Sequence, residues 1–298
     1  MSNYLGEFSA LGAALCWSLG PTLFTIASRQ IGAVVSNRLR LLIAVFLFSI
    51  THFFVHGEFL PTQVDLSHWL WLGLSGIIGL VIGDTFLFQS LVILGPQFAM
   101  LIFSIFPILS SVIAWGFLNE SLSLLKVLAI GITISGVMLV ILGKRDLGTT
   151  MTRRRYIIGI LFGLGGAIGQ ALGLILAKKG ITTELSGLTV TLIRVLPATI
   201  VIWLVALISG SINYTFNKLC SKEGMVIVVA SFVGSFAGLW LSMLSIKYTS
   251  IGIASTLMAL PPVFLLPVSR WVFKEKITLH SIVGTLIAVI GIAMIFLV

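Results

Sequence analysis

WLWLGLSGIIGLVIGDTFLFQSLVIL, residues 69–94, carries one charged side chain, Asp84, in an otherwise unbroken apolar run. About 20 apolar residues suffice for a helix to cross the hydrocarbon core, whereas a barrel strand alternates polar and apolar over about ten. The stretch does not alternate, so it reads as a membrane helix. Similar runs predict further spans at 6–28, 34–55, 97–118, 124–143, 156–178, 187–209, 224–246, 251–273 and 279–298. Gly95-Pro96 separates the third run from the fourth, and Lys247 to Ser250 separates the eighth from the ninth. The longest polar stretch in mid-chain, Lys144 to Arg155, divides the spans five and five.

Composition points the same way. The chain has 298 residues, 58% hydrophobic and only 9% charged, with a mean hydropathy of +1.17. An ordinary soluble domain carries about a quarter charged residues and could not cover its surface with this sequence. The formal charge of +9 sits in short breaks between apolar runs, a placement for membrane-flanking anchors that argues against nucleic acid. Cys16 lies inside the first run and Cys220 in a polar connection, so no disulfide is expected between them. Residues 1–8 hold Glu7 and no Lys or Arg, unlike the basic region of a cleaved signal, and the first run reads as a retained span.

The halves, residues 1–145 and 152–298, repeat one another. At an offset of 153, Leu11, Gly12, Ala14, Leu19, Gly20 and Leu23 match Leu164, Gly165, Ala167, Leu172, Gly173 and Leu176. At 154, Arg40 and Ala44 match Arg194 and Ala198. At 155, Gly79, Gly83, Ser90, Ala99, Pro107, Glu120 and Gly136 match Gly234, Gly238, Ser245, Ala254, Pro262, Glu275 and Gly291. Leu and Gly match easily by chance in apolar helices; paired Arg, Pro and Glu do not. An odd number of spans per repeat makes the second half enter the bilayer from the opposite side. The fold expected is therefore an all-α membrane protein of ten transmembrane helices in two inverted five-helix repeats, an architecture of many secondary transporters.

The stretch Gly83-Asp84 … Gly95 … Ala99 … Pro107 … Glu120, repeated as Gly238 … Ala254 … Pro262 … Glu275, resembles the EamA-type signature of the drug/metabolite transporter superfamily. Cys16-Trp17-Ser18 and Arg40 with Ala44 resemble the family's first and second helices, so the similarity covers essentially the whole chain. The resemblance implies a ten-helix exporter of small metabolites, amino acids or related compounds. It also implies a substrate cavity surrounded by the first, third and fourth helices and their repeat partners. The expected setting is multi-pass in a prokaryotic cell (inner) membrane, as a monomer or homodimer, with a small-molecule substrate and the lipid bilayer as partners and no cofactor.

Ionisable groups inside apolar spans are expensive and each demands a reason. Asp84 reads as a partner for a substrate amine or a proton carrier, or else as a packing residue hydrogen-bonded to Thr85 or a neighbouring helix. The Gly-x-Gly-Asp motif of intramembrane aspartyl proteases fails, because Val81 replaces the first Gly and no second intramembrane Asp exists. Trp17, which aligns with Gln170, and Trp240 with Met243 three residues on, are candidates for a cavity offering stacking and adaptable packing. Arg40 and Arg194 read as structural or gating residues that snorkel or bind carbonyls. Pro107 and Pro262 read as mid-span kinks. Glu120 and Glu275 precede Ser123 and Thr278, plausible N-caps of the fifth and tenth helices, and read as structural or gating. Gly79, Gly83, Gly234, Gly238 and the run Gly165, Gly169, Gly173 predict close helix contact. His52 and His56 at i,i+4 with Glu58 form a weak metal signal with no third strong ligand, so no metal site is expected.

No nucleotide-binding loop, nucleophile–base pair or metal-ligand set is visible, so no catalytic residue is expected and the chain reads as a secondary transporter working by alternating access rather than as an enzyme. A flippase for a lipid-linked intermediate and a membrane-embedded enzyme are the rival readings. The distribution of Lys and Arg puts both termini outside, whereas the resemblance implies both inside.

Overall fold

The computed structural model describes residues 4–106, 108–109, 112–113, 124–145, 151–181, 185–248, 257–258, 260–274 and 277–297. Every regular element among them is helical. In the first half α1 (Leu5–Ile31) and α2 (Ala33–His56) are joined by Gly32 alone. Its φ of +88° turns the chain back in one residue, a conformation that glycine adopts without penalty. α3 (Leu66–Leu94) ends at Gly95, φ +85°, and Pro96 opens α4 (Pro96–Phe103), where its missing N–H costs nothing. α5 is Leu124–Arg145. The second half runs α6 (Arg153–Gly180), α7 (Gly187–Ile208) and a short surface helix α8 (Ile212–Leu219). There follow α9, built from Lys222–Ala230, Ser231–Ala237 and Gly238–Tyr248, then α10 (Pro261–Phe273) and α11 (Leu279–Leu297).

Six of these helices, α1, α2, α3, α6, α7 and α9, are long and apolar enough to cross a membrane, and shorter apolar stretches lie in α5 and α11. Large apolar side chains such as Phe46, Leu161 and Ile208 point outward while Ala and Gly fill the helix contacts. That distribution suits a lipid solvent, where association depends on close packing rather than on hiding apolar surface from water.

The helix contacts exchange when the halves are exchanged. α1 packs on α9, and its repeat equivalent α6 packs on α3. A methyl group added at Gly20 would stand 2.9 Å from Gly234 Cα, and one at Gly173 would stand 3.0 Å from Gly79 Cα, the equivalent pair. α5 and α11 form a third close contact: Gly136 abuts Ala288, and its counterpart Gly291 abuts Thr133. The glycines expected to mediate packing therefore do so, between the halves rather than within them.

Four features differ from the sequence expectation or go beyond it. α3 contains a π-helical segment at Ile77–Gly83, and α9 contains one at the equivalent place, Ser231–Ala237. α4 is interrupted at Ser104–Ile105 rather than continuing unbroken. Pro107 has no N–H to give the carbonyl four residues back, that of Phe103, and the break follows Phe103 directly. Pro262 is not a mid-helix kink: Leu260 is non-helical and Pro261-Pro262 begin α10, the position where proline fits a helix. The fourth is α8, which lies in the connection expected between the spans 187–209 and 224–246; Arg38 Nη1 donates to Ser211 Oγ at 2.7 Å and to Thr215 Oγ1 at 3.3 Å and ties it to α2. Thr278 caps α11 as expected, accepting from Ser281 N at 3.1 Å. Pro107, Glu120 and Glu275, with Ser123, lie outside the described residues, as does the side chain of Met243.

Candidate functional site

Arg40 and Arg194 each stand seven positions after the first residue of their helices, Ala33 and Gly187. Seven residues carry a helix about 10 Å along its axis, well inside a hydrocarbon core about 30 Å thick. At that depth a guanidinium needs an anion or a wet cavity. Arg40 finds its anion across the helix contact: Nη2 meets Asp84 Oδ2 at 2.6 Å, with the two side chains only 12% and 9% exposed. Its Nε donates to Asn37 Oδ1 at 3.1 Å, and its guanidinium lies 5.4 Å from the centroid of the Phe88 ring. This corrects the snorkelling reading of Arg40, whose charge is held inward by an acid, an amide and an aromatic face.

The π turn of α3 explains how Asp84 comes to be held there. A π turn takes one extra residue and leaves helix carbonyls poorly satisfied. Asn37 Nδ2 reaches them from α2, donating to Leu80 O at 2.9 Å, Val81 O at 3.4 Å and Thr85 Oγ1 at 2.9 Å. One amide thus clamps the π turn with its donors and Arg40 with its acceptor. Asn37→Ala is expected to lower stability by about 1–3 kcal/mol, the cost of buried polar groups left without partners. An unfolding midpoint in detergent equal to wild type would show that the turn stands without it.

The second half supplies two more polar groups to the same region. Arg194 on α7 interacts electrostatically with Asp84. Its Nε and Nη2 are buried and have no hydrogen-bond partner among the described residues, and Gln170 Oε1 on α6 is in the same condition. Both converge on Gly79: a Cβ there would stand 3.4 Å from Gln170 Oε1 and 3.7 Å from Arg194 Nη2. Asp84, Arg40, Asn37, Arg194 and Gln170 therefore form one polar cluster on α2, α3, α6 and α7, with each half contributing two helices.

Of the other sequence candidates, Trp17 packs against Gly238, where an added Cβ would lie 2.7 Å from its Nε1. This is the repeat counterpart of Gln170 against Gly83. Trp240 stands apart from the polar cluster, 45% exposed, with Phe236 edge-on to it at 5.5 Å. The His52 and His56 rings lie 4.6 Å apart, tilted by 43°, and face the start of α7, His52 Nε2 at 3.2 Å from Thr189 Oγ1 and His56 Nε2 at 3.2 Å from Ser186 Oγ. Asn37 went unremarked in the sequence, although an amide inside an apolar run is itself a signal that something must satisfy it.

Repeated bundles of apolar helices with a charged cluster buried between the halves define a polytopic membrane transporter fold. The EamA-like transporter family matches residues 4–142 and 157–297, one match for each half, and the chain belongs to that family. It is accordingly a membrane transporter of the drug/metabolite transporter superfamily. A solved structure described as "Crystal structure of protein" superposes with a TM-score of 0.66 at 17% identity, covering 97% of this chain and 95% of that one, a likeness of fold. A comparison with curated proteins finds no match.

Proposed function

We propose that the protein is a secondary transporter exporting small polar or amphipathic metabolites by alternating access, with amino acids as the first substrate class to test. The observation that carries this reading is the cluster of Arg40, Asp84, Arg194 and Gln170, because its members sit on helices of both halves. Any rocking of one half against the other must change distances within it, so a solute bound there senses the motion. The glycine contacts between α1 and α9 and between α6 and α3 present smooth surfaces for such sliding. Ten spans in inverted repeats, in a prokaryotic inner membrane, belong to the same reading, with Trp17, Trp240 and Met243 lining the path outside the cluster. No step calls for a cofactor, and monomer and homodimer serve it equally.

Counterflow tests it. Liposomes containing the purified protein and loaded with an unlabelled amino acid are expected to accumulate the labelled compound transiently when diluted. Absence of counterflow across a panel of acidic, basic, polar and apolar amino acids would remove amino acids as the substrate class. Scrambling of a polyprenyl-linked lipid in the same vesicles would move the reading to a flippase.

A further inference from the structure

Arg40 and Arg194 are repeat equivalents with unequal partners. The position equivalent to Asp84 in the second half is Leu239, and the one equivalent to Asn37 is Thr191. Thr191 spends its hydroxyl on Gly187 O at 2.7 Å, and Leu239 packs among the apolar side chains around Leu192 and Val195. Arg194 thus carries the repeat's cation with no acid at the equivalent position of its own half. Among the described residues its Nε and Nη2 are buried donors without acceptors, beside Gln170 Oε1, a buried acceptor without a donor. A protein interior seldom leaves such groups empty, and a guanidinium is the costliest of them.

The geometry points to Arg194, with Gln170, as the docking point for the carboxylate of a small solute. This rests on the transporter reading and specifies the group that the substrate must carry. The two groups border one point of α3: a Cβ at Gly79 would stand 3.4 Å from Gln170 Oε1, 3.7 Å from Arg194 Nη2 and 3.7 Å from Gly173 Cα. A carboxylate accepts from Arg194 Nε and Nη2, and rotating the Gln170 amide presents its Nε2 as a further donor. The charge count selects the ligand. At their formal charges Arg40, Arg194 and Asp84 leave one positive charge in the cluster, which a carboxylate neutralises and a phosphate dianion overshoots. A planar carboxylate also matches the guanidinium fork.

The test uses the purified full-length protein in detergent at fixed chloride and ionic strength. Its thermal midpoint is followed against propionate and L-leucine, each compared with its amide, and against inorganic phosphate. The carboxylates are expected to raise the midpoint saturably and the amides to leave it unchanged. Gly79→Ala keeps every charge and makes only ordinary contacts, yet it sets a methyl group against both Gln170 Oε1 and Arg194 Nη2. It and Arg194→Gln are expected to raise the half-saturating concentration about tenfold or more. Leu239→Asp supplies the missing acid from within and is expected to abolish the response. Equal responses to acid and amide, or a response strongest for phosphate, would overturn the assignment. So would Gly79→Ala and Arg194→Gln proteins that both respond like wild type. The two readings fail separately: counterflow that accepts leucinamide as readily as leucine keeps the transporter and removes the carboxylate dock. A carboxylate-specific midpoint shift without counterflow keeps the dock and removes amino-acid transport.

Discussion

Asp84→Ala is expected to cost about 3–5 kcal/mol of stability, the penalty for removing one partner of a buried ion pair. Asp84 is the acid that Arg40 meets at 2.6 Å, and it also acts on Arg194. Without it two guanidinium groups remain together in a region from which water is largely excluded, and neither can reach the interface without dismantling its helix contact. The double substitution Arg40→Met with Asp84→Leu removes both charges and is expected to recover most of the lost stability, since apolar groups of similar volume often replace a buried pair at little cost. Chemical unfolding in detergent measures both. An Asp84→Ala protein as stable as wild type would mean that the pair is solvated and contributes nothing. The near-isosteric Asp84→Asn addresses the transport proposed above: if the carboxylate carries a coupled proton, the variant should lose gradient-driven movement and retain exchange between two substrate pools. Unaltered driven transport with unaltered pH dependence would remove Asp84 from coupling.

Gly76→Ala is expected to be at least as damaging, for a steric reason. A Cβ at Gly76 would collide with the carbonyl oxygen of Arg194 and stand 2.8 Å from its carbon. Both are backbone atoms in the middle of α7 and cannot rotate aside. Relief requires α3 and α7 to separate by about an ångström, opening a close-packed contact along its length, at a cost of about 3 kcal/mol or more. The same movement withdraws Arg194 from the polar cluster. Gly131→Ala on α5 provides the comparison, because a Cβ there meets nothing within 4 Å. It should be neutral or gain about 0.5–1 kcal/mol from helix propensity. A monodisperse Gly76→Ala protein with the wild-type midpoint would show that α3 and α7 part more freely than their packing suggests.

Much of this was legible in the sequence because lipid imposes strong rules. Long apolar runs announced the helices, and paired Arg40 and Arg194 announced the repeat. The glycines that proved to lie at helix contacts were visible as spaced small residues. What could not be read was anything depending on a neighbour distant in the chain. Asp84 advertised itself as expensive, yet nothing local said that its partner lay 44 positions earlier on α2. Arg40 was misread for the same reason, since a basic residue in the first turns of a helix more often reaches back to the interface. The π turns escaped because a glycine-rich apolar stretch looks the same whichever carbonyl each N–H chooses. Pro262 misled because a proline inside an apolar run reads as a kink, and only the fold shows that a new helix starts there.

The placement of the π turns bears on the history of the molecule. Such a turn is an α-helical turn holding one residue too many, so it records an insertion. The segments Ile77–Gly83 and Ser231–Ala237 fall within one residue of each other at the offset of 155. Two independent insertions at one place are a poorer explanation than a single one in the ancestral half, before the gene doubled. Asp84 and Asn37 have no counterparts at Leu239 and Thr191, so their chemistry distinguishes one copy from the other. The bent helix and the arginine are common property of the two copies, and the acid and the amide belong to one of them.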